Sequence, residues 1–282
     1  MKERPGYDVI LVVPPFKLMG GPLLAPGILA SACKAEGLRT KVFYADFALA
    51  EIIGYSRCAD LSARPELSQS IFRWAALKSE LDPQDPDIFF ERLLQIYAEN
   101  VGSRYSRMTD SSGGISSEDL LSCLEKIPAY LDLVCDRILA WSPKIVGFSC
   151  LFSQILAAMA IAARIKQLSP NLLLVLGGPC TVTPMGQAIQ TLAPCFDFVF
   201  SGESEIEFPR FVAQFINDGT LPSDRFIECS QLDDLDASPI PNYDDYFEQI
   251  RQTFGHSQDE PPAADWLPIQ TSRGCYRAMK QP

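Results

Sequence analysis

The chain has 282 residues, 47% of them hydrophobic, enough to bury a full core in one large domain with added elements, or in two domains. Its 24 basic side chains against 35 acidic ones leave a formal charge of −11, which repels nucleic-acid phosphates and anionic lipid. No stretch approaches the roughly 20 apolar residues that span a bilayer, and Val9 to Val13 is too short for a signal-peptide core. The expectation is therefore a cytoplasmic protein with neither a nucleic-acid nor a membrane partner.

In chain order, Tyr7 to Val13, Lys41 to Tyr44, Lys144 to Phe148, Leu172 to Leu176 and Phe196 to Phe200 have the length and β-branched or aromatic content of buried parallel strands. Helical stretches lie between them at Pro22 to Glu36, Ser153 to Leu168, Pro184 to Leu192 and Glu205 to Asn217, most of them closed by glycine or proline signals. This alternation predicts an α/β fold, a doubly wound (Rossmann-like or flavodoxin-like) five-stranded parallel sheet, over residues 1–219. Helical periodicity dominates a stretch of about 48–141, punctuated by Asp82-Pro83-Gln84-Asp85-Pro86 and Ser111-Ser112-Gly113-Gly114, and is read as a helical insertion. Residues 220–265 are turn-rich and acidic and form a C-terminal connector to the segment 266–282.

In an open parallel sheet, ligands bind beyond the carboxyl ends of the strands, so the candidate residues are those that follow each strand. Strand one runs into Pro14-Pro15-Phe16, a turn lacking two amide donors and placing an aromatic face at the rim. Strand three ends in Ser149-Cys150-Leu151-Phe152, with Ser153 as the expected N-cap of the next helix. Strand four ends in Gly177-Gly178-Pro179-Cys180, where paired glycines let backbone approach a flat or bulky ligand or serve a tight turn. Strand five ends in Gly202-Glu203, free to face the crevice, ahead of Ser204 and Glu207 at capping-box spacing.

Other chemistries fail on residue count. Gly20, Gly21 and Gly27 do not make a dinucleotide fingerprint, and no nucleoside-triphosphate loop occurs. The nine scattered cysteines lack any Cys-x-x-Cys, which suits reduced, buried thiols rather than disulfides or structural zinc. A hydrolase lacks a base, because the single histidine, His256, lies in the polar connector.

The ordered set Val13-Pro14-Pro15, Gly147-Phe148-Ser149, Leu176-Gly177-Gly178-Pro179, Phe200-Ser201-Gly202-Glu203 and Thr271-Ser272-Arg273-Gly274-Cys275 resembles the cobalamin-binding half of cobalamin-dependent radical-SAM enzymes. Pro184-Met185-Gly186-Gln187-Ala188 and Ile240-Pro241-Asn242-Tyr243-Asp244-Asp245-Tyr246-Phe247 narrow the resemblance to the group that matures ribosomally made peptides, often as C-methyltransferases. It implies cobalamin over the strand ends, contacted by Pro14, Pro15, Phe16, Ser149, Cys150, Phe152, Gly177, Gly178, Pro179, Cys180, Gly202 and Glu203, with no histidine on the lower cobalt face.

The same resemblance makes Cys275 one of three expected ligands of a four-iron four-sulfur cluster that binds S-adenosylmethionine. The Cys-x-x-Cys that completes such a site does not follow in this sequence, so neither cluster nor S-adenosylmethionine is expected to bind here. Residues 266–282 then read as the truncated start of a radical-SAM domain, and the chain as inactive alone. Implied partners are a precursor peptide or a separately encoded barrel. Two alternatives stay open: a stand-alone cobalamin-binding or docking module without catalysis, and an α/β domain that binds flavin or a nucleotide in the same crevice.

Overall fold

The computed structural model describes residues 6–17, 19–77, 117–255 and 266–273. Six parallel strands, β1 (Val9–Val13), β2 (Thr40–Tyr44), β3 (Ile145–Ser149), β4 (Leu173–Gly177), β5 (Phe198–Ser201) and β6 (Phe226–Glu228), form one open sheet ordered β2-β1-β3-β4-β5-β6. The α/β class holds, and the expected five strands are corrected to six. β6 is three residues long and only partly buried, and it adds to the outer side of β5 through Val199 to Ser201. Its two apolar residues, set among polar neighbours, are too short a run to register as a strand.

Every residue of β1, β3 and β5 is buried, as expected of strands covered on both faces. In register, Leu11 lies beside Gly147, and Gly147 beside Val175. On this face the Phe208 ring closes on Gly147, where a Cβ would stand 3.1 Å from Leu11 and 3.3 Å from Phe208. Phe198 and Phe200 meet Phe208 and Phe211 in edge-on contacts. The strand starts are pinned by carboxylates. Asp8 accepts from Arg39 N at 2.8 Å and from its guanidinium at 2.7 Å, and Asp197 accepts from Leu174 N and Lys166 Nζ, both at 2.7 Å.

Nine helices occur among the described residues: α1 (Leu24–Ala35), α2 (Ala45–Ile53), α3 (Tyr55–Ser62), α4 (Pro65–Leu77), α5 (Ser117–Ala140), α6 (Ile155–Leu168), α7 (Met185–Leu192), α8 (Glu207–Asp218) and α9 (Asp244–Phe254). α1 packs on α8, while α4, α5 and α6 pack on one another. Where it is described, the stretch between β2 and β3 consists of α2 to α5 and short turns; the two punctuating segments lie outside the described residues.

Both expected serine caps are corrected. α6 begins at Ile155, and Ser153 instead donates to Phe16 O at 3.2 Å. α8 begins at Glu207 without a side-chain cap, and the Ser204 hydroxyl donates to Gly202 O at 3.3 Å. In each case a short turn precedes the helix, a 3-10 turn at Phe152–Gln154 and a turn at Glu205 and Ile206, and the hydroxyl donates to a backbone carbonyl instead of capping.

The connector contains α9, which docks on the outer edge of β2. Asp245 accepts from Val42 N at 2.9 Å; Gln249 accepts from Tyr44 N at 2.8 Å and donates to Tyr44 O at 3.4 Å. Side chains thus satisfy backbone groups that a further strand would otherwise take, which blunts the exposed edge. No helix among the described residues is long and apolar enough to cross a membrane.

Candidate functional site

The chain leaves β1 toward β2 on one side and returns at β3 on the other, so the direction of winding reverses between β1 and β3, where an open sheet offers its crevice. A cleft of about 750 Å³ opens beside this point, within the size range of small-molecule sites. Its floor is the apolar row Leu11, Gly147, Val175, Phe200 and Phe208. One wall is the start of α1, Pro22 to Leu29; the rim is built from the loops after β3, β4 and β5; and Trp266, Pro268, Gln270, Ser272 and Arg273 close the remaining side.

Of the residues expected from sequence, Ser149, Cys150, Gly177, Gly178, Pro179, Gly202 and Glu203 all line this cleft. Pro14, Pro15 and Phe16 do not. The expected rim aromatic is corrected: Phe16 is buried, its ring 5.8 Å from that of Phe72. The Pro14 carbonyl accepts from the Gln154 amide, whose oxygen accepts from Leu151 N at 2.8 Å, so buried Gln154 ties the β1 loop to the β3 loop. Phe152 is exposed outside the cleft lining, and Cys180 is buried beneath it. Cys275 and His256 lie outside the described residues.

The four glycines that line the cleft are not equivalent. Gly178 has φ +112°, and a Cβ there would sit 2.3 Å from Cys150 O; Gly202 has φ +100°, and its Cβ would sit 2.8 Å from Cys229 O. Gly147 is held by Leu11 and Phe208, as above. Gly177 differs: its φ is not positive, and a Cβ would meet only Phe200, at 3.8 Å. Nothing in the fold requires glycine at 177, which stands at the cleft surface beside Ser149 in the β3–β4 register.

Glu203 faces the cleft as expected, but its carboxylate is already engaged. It accepts from Leu232 N at 2.7 Å and from Arg273 at 2.5 Å, and Glu205 takes the other arm of the same guanidinium. These three are the charged groups that line the cleft, and they are engaged with one another. Desolvation drives the Cys150 thiol well above its ordinary range, so it stays protonated, in hydrogen-bond contact with Cys180. The cleft therefore combines a largely apolar lining with the Ser149 hydroxyl at one glycine edge. Among the described residues no group of three histidines, cysteines or carboxylates is placed to hold a metal ion.

Sequence reading missed the wall of α1 and the returning segment 266–273. Gly21 cradles the Trp266 indole, where a Cβ would come within 2.8 Å of the ring; a Cβ at Gly27 would likewise stand 2.8 Å from Tyr243 Cε1 and 3.1 Å from Pro241 Cβ. Gly20, Gly21 and Gly27, which make no nucleotide fingerprint, instead seat side chains more than two hundred residues away in sequence. A second cavity, also of about 750 Å³, lies between β2, α9 and the end of α5. It lies by the amino ends of β1 and β2, away from the carboxyl ends, and its Lys41, Arg39 and Arg137 are all in ion pairs. No protein-family model matches the chain, and no curated protein matches it.

Proposed function

We propose that the cleft at the carboxyl ends of β3, β4 and β5 is a cobalamin site. On this reading the chain is the cobalamin-binding portion of a radical-SAM peptide-maturation enzyme of the C-methyltransferase kind. The observation that carries it is Gly177: a glycine on the cleft surface that neither backbone conformation nor any protein neighbour demands, as expected where a bulky flat ligand must touch backbone. The ordered strand-end motifs supply the ligand class.

The residues present fit the group in part and by surface. A cavity of about 750 Å³ takes one end of so large a cofactor, and its remainder would lie across the open mouth. Gly177, Gly178 and Pro179 would meet it through backbone, Ser149 through its hydroxyl, and Leu11, Val175 and Phe200 through apolar contact. Cobalamin, when bound, supplies a methyl group carried on cobalt. This chain's residues bind and orient it, and the apolar floor keeps water from its buried end. The lone excess of cleft carboxylates over Arg273 disfavours a pyrophosphate-bearing dinucleotide. Iron-sulfur and S-adenosylmethionine chemistry belongs, on this reading, to a barrel beyond Cys275 or on another chain, and the chain works in the cytoplasm.

Titration with hydroxocobalamin tests this. Retention of the corrin on gel filtration with a shift of its absorption bands is the expected result; an unchanged spectrum and no retained cofactor would sink the proposal. Yellow flavin carried through purification would favour the alternative.

A further inference from the structure

The wall formed by residues 266–273 is held differently from the rest of the cleft. It contains no helix or strand, and Trp266, Leu267 and Ile269 are 44%, 51% and 77% exposed, so burial contributes little to keeping it in place. Its attachments are few. The Trp266 indole rests on Gly20-Gly21 in the loop after β1. The Tyr243 hydroxyl donates to Pro268 O at 2.5 Å. Arg273 forks between Glu203 and Glu205 in the loop after β5, with the three side chains 18%, 24% and 8% exposed. In the sheet, β1 and β5 are separated by β3 and β4, so the segment bridges the ends of the two strands that carry Ser149 and Gly177.

A segment with little buried apolar surface opens locally at small free-energy cost. Here the largest restraint is ionic, and it lies at the far end of the span from the indole anchor. We infer that residues 266–273 form a strap across the cleft, latched by Arg273 on Glu203 and Glu205, and that unlatching admits and releases the ligand. The ligand's identity rests on the cobalamin reading; the latch does not. The glycine pair supports the inference: Gly21 gives up a side chain to seat Trp266, which shows a built contact rather than a chance approach. Removing the Arg273 guanidinium, which both carboxylates share, therefore frees the strap while leaving the sheet and its core intact.

The experiment has two readouts on the full chain. In ligand-free protein labelled with 5-fluorotryptophan, with the Trp266 resonance assigned by Trp266→Phe, Arg273→Gln is expected to move that resonance toward its solvent-exposed position. Glu205→Gln does the same in part, and raised salt moves the wild type in the same direction. In stopped flow with hydroxocobalamin, Arg273→Gln is expected to speed both association and release by roughly five- to tenfold, with a smaller change in Kd. An unmoved Trp266 resonance overturns the latch, as does faster release with unchanged association, which marks Arg273 as a plain ligand contact. If the wild type binds no cobalamin, the functional reading fails and the fluorine resonance alone decides the latch.

Discussion

Replacing Gly177 and Gly178 by alanine, one at a time, separates a glycine kept for the ligand from one kept for the fold. At Gly178 an L-residue must hold φ +112°, and its Cβ would stand 2.3 Å from the backbone oxygen of Cys150. The conformation costs about 1–2 kcal/mol and the forced backbone shift about 1–3 kcal/mol more. At about 2–4 °C per kcal/mol for a chain of this size, a loss of about 3 kcal/mol lowers Tm by about 6–12 °C. At Gly177 the added methyl meets only Phe200, at 3.8 Å. Stability should stay within about 0.5 kcal/mol of wild type, or rise slightly as the unfolded chain loses freedom. Affinity for hydroxocobalamin should nevertheless fall at least about tenfold, equivalent to about 1.4 kcal/mol. Calorimetry gives the first quantity and absorbance titration the second. Gly177→Ala that binds as tightly as wild type, or that unfolds as early as Gly178→Ala, refutes the reasoning.

Lys17 and Asp46 form a fully buried pair, Nζ to Oδ2 3.1 Å, with the ammonium 5.4–5.8 Å from the rings of Tyr44, Phe47 and Tyr246. Lys17→Met should cost about 3–5 kcal/mol in urea unfolding at pH 7. Because burial already pushes the Asp46 carboxyl above its usual range, that deficit should shrink as pH falls toward about 4; a pH-independent deficit contradicts this. Asp8 behaves oppositely. Hydrogen bonds from Arg39 hold its carboxyl below the usual range, so the stability it adds is present above about pH 4 and fades as the solution is acidified. The gap in urea midpoint between wild type and Asp8→Asn should therefore be visible at pH 7 and close near pH 2; a gap unchanged by acid opposes the account. Burial raises the thiols of Cys33 and Cys135 to about 12. At pH 8, iodoacetamide should label these two at least about a thousandfold more slowly than an ordinary thiol, read by peptide mass spectrometry, until the protein is unfolded. Labelling of native Cys33 at the free-thiol rate would show that the burial is wrong.

Five strands are legible because each is a short run dominated by apolar residues between turn signals, and the residues after β3, β4 and β5 follow directly from where such strands end. That is why Ser149, Gly177 and Gly202 could be named. Phe16 was misplaced because sequence order cannot say whether a ring after a turn faces solvent or, as here, the Phe72 ring of the helical insertion. The caps at Ser153 and Ser204 fail because each hydroxyl donates to a backbone carbonyl instead, Gly202 two residues back for Ser204 and the distant β1 loop at Phe16 for Ser153. The α9 dock is hidden by its chemistry, since Asp245 and Gln249 read as solvated polar residues until they are seen satisfying Val42 and Tyr44. The strap is hidden by distance, as the Arg273 to Glu203 pair spans seventy residues.

The central claim concerns place as much as identity. Crystals grown with hydroxocobalamin, with data collected at the cobalt absorption edge, locate the metal without reference to any assumed pose. The account predicts one anomalous peak per chain at the mouth of the cleft, over the Ser149–Cys150 and Gly177–Gly178 loops, with corrin density against Gly177. A peak elsewhere on the molecule, or the cavity between β2 and α9 filled instead, would contradict it.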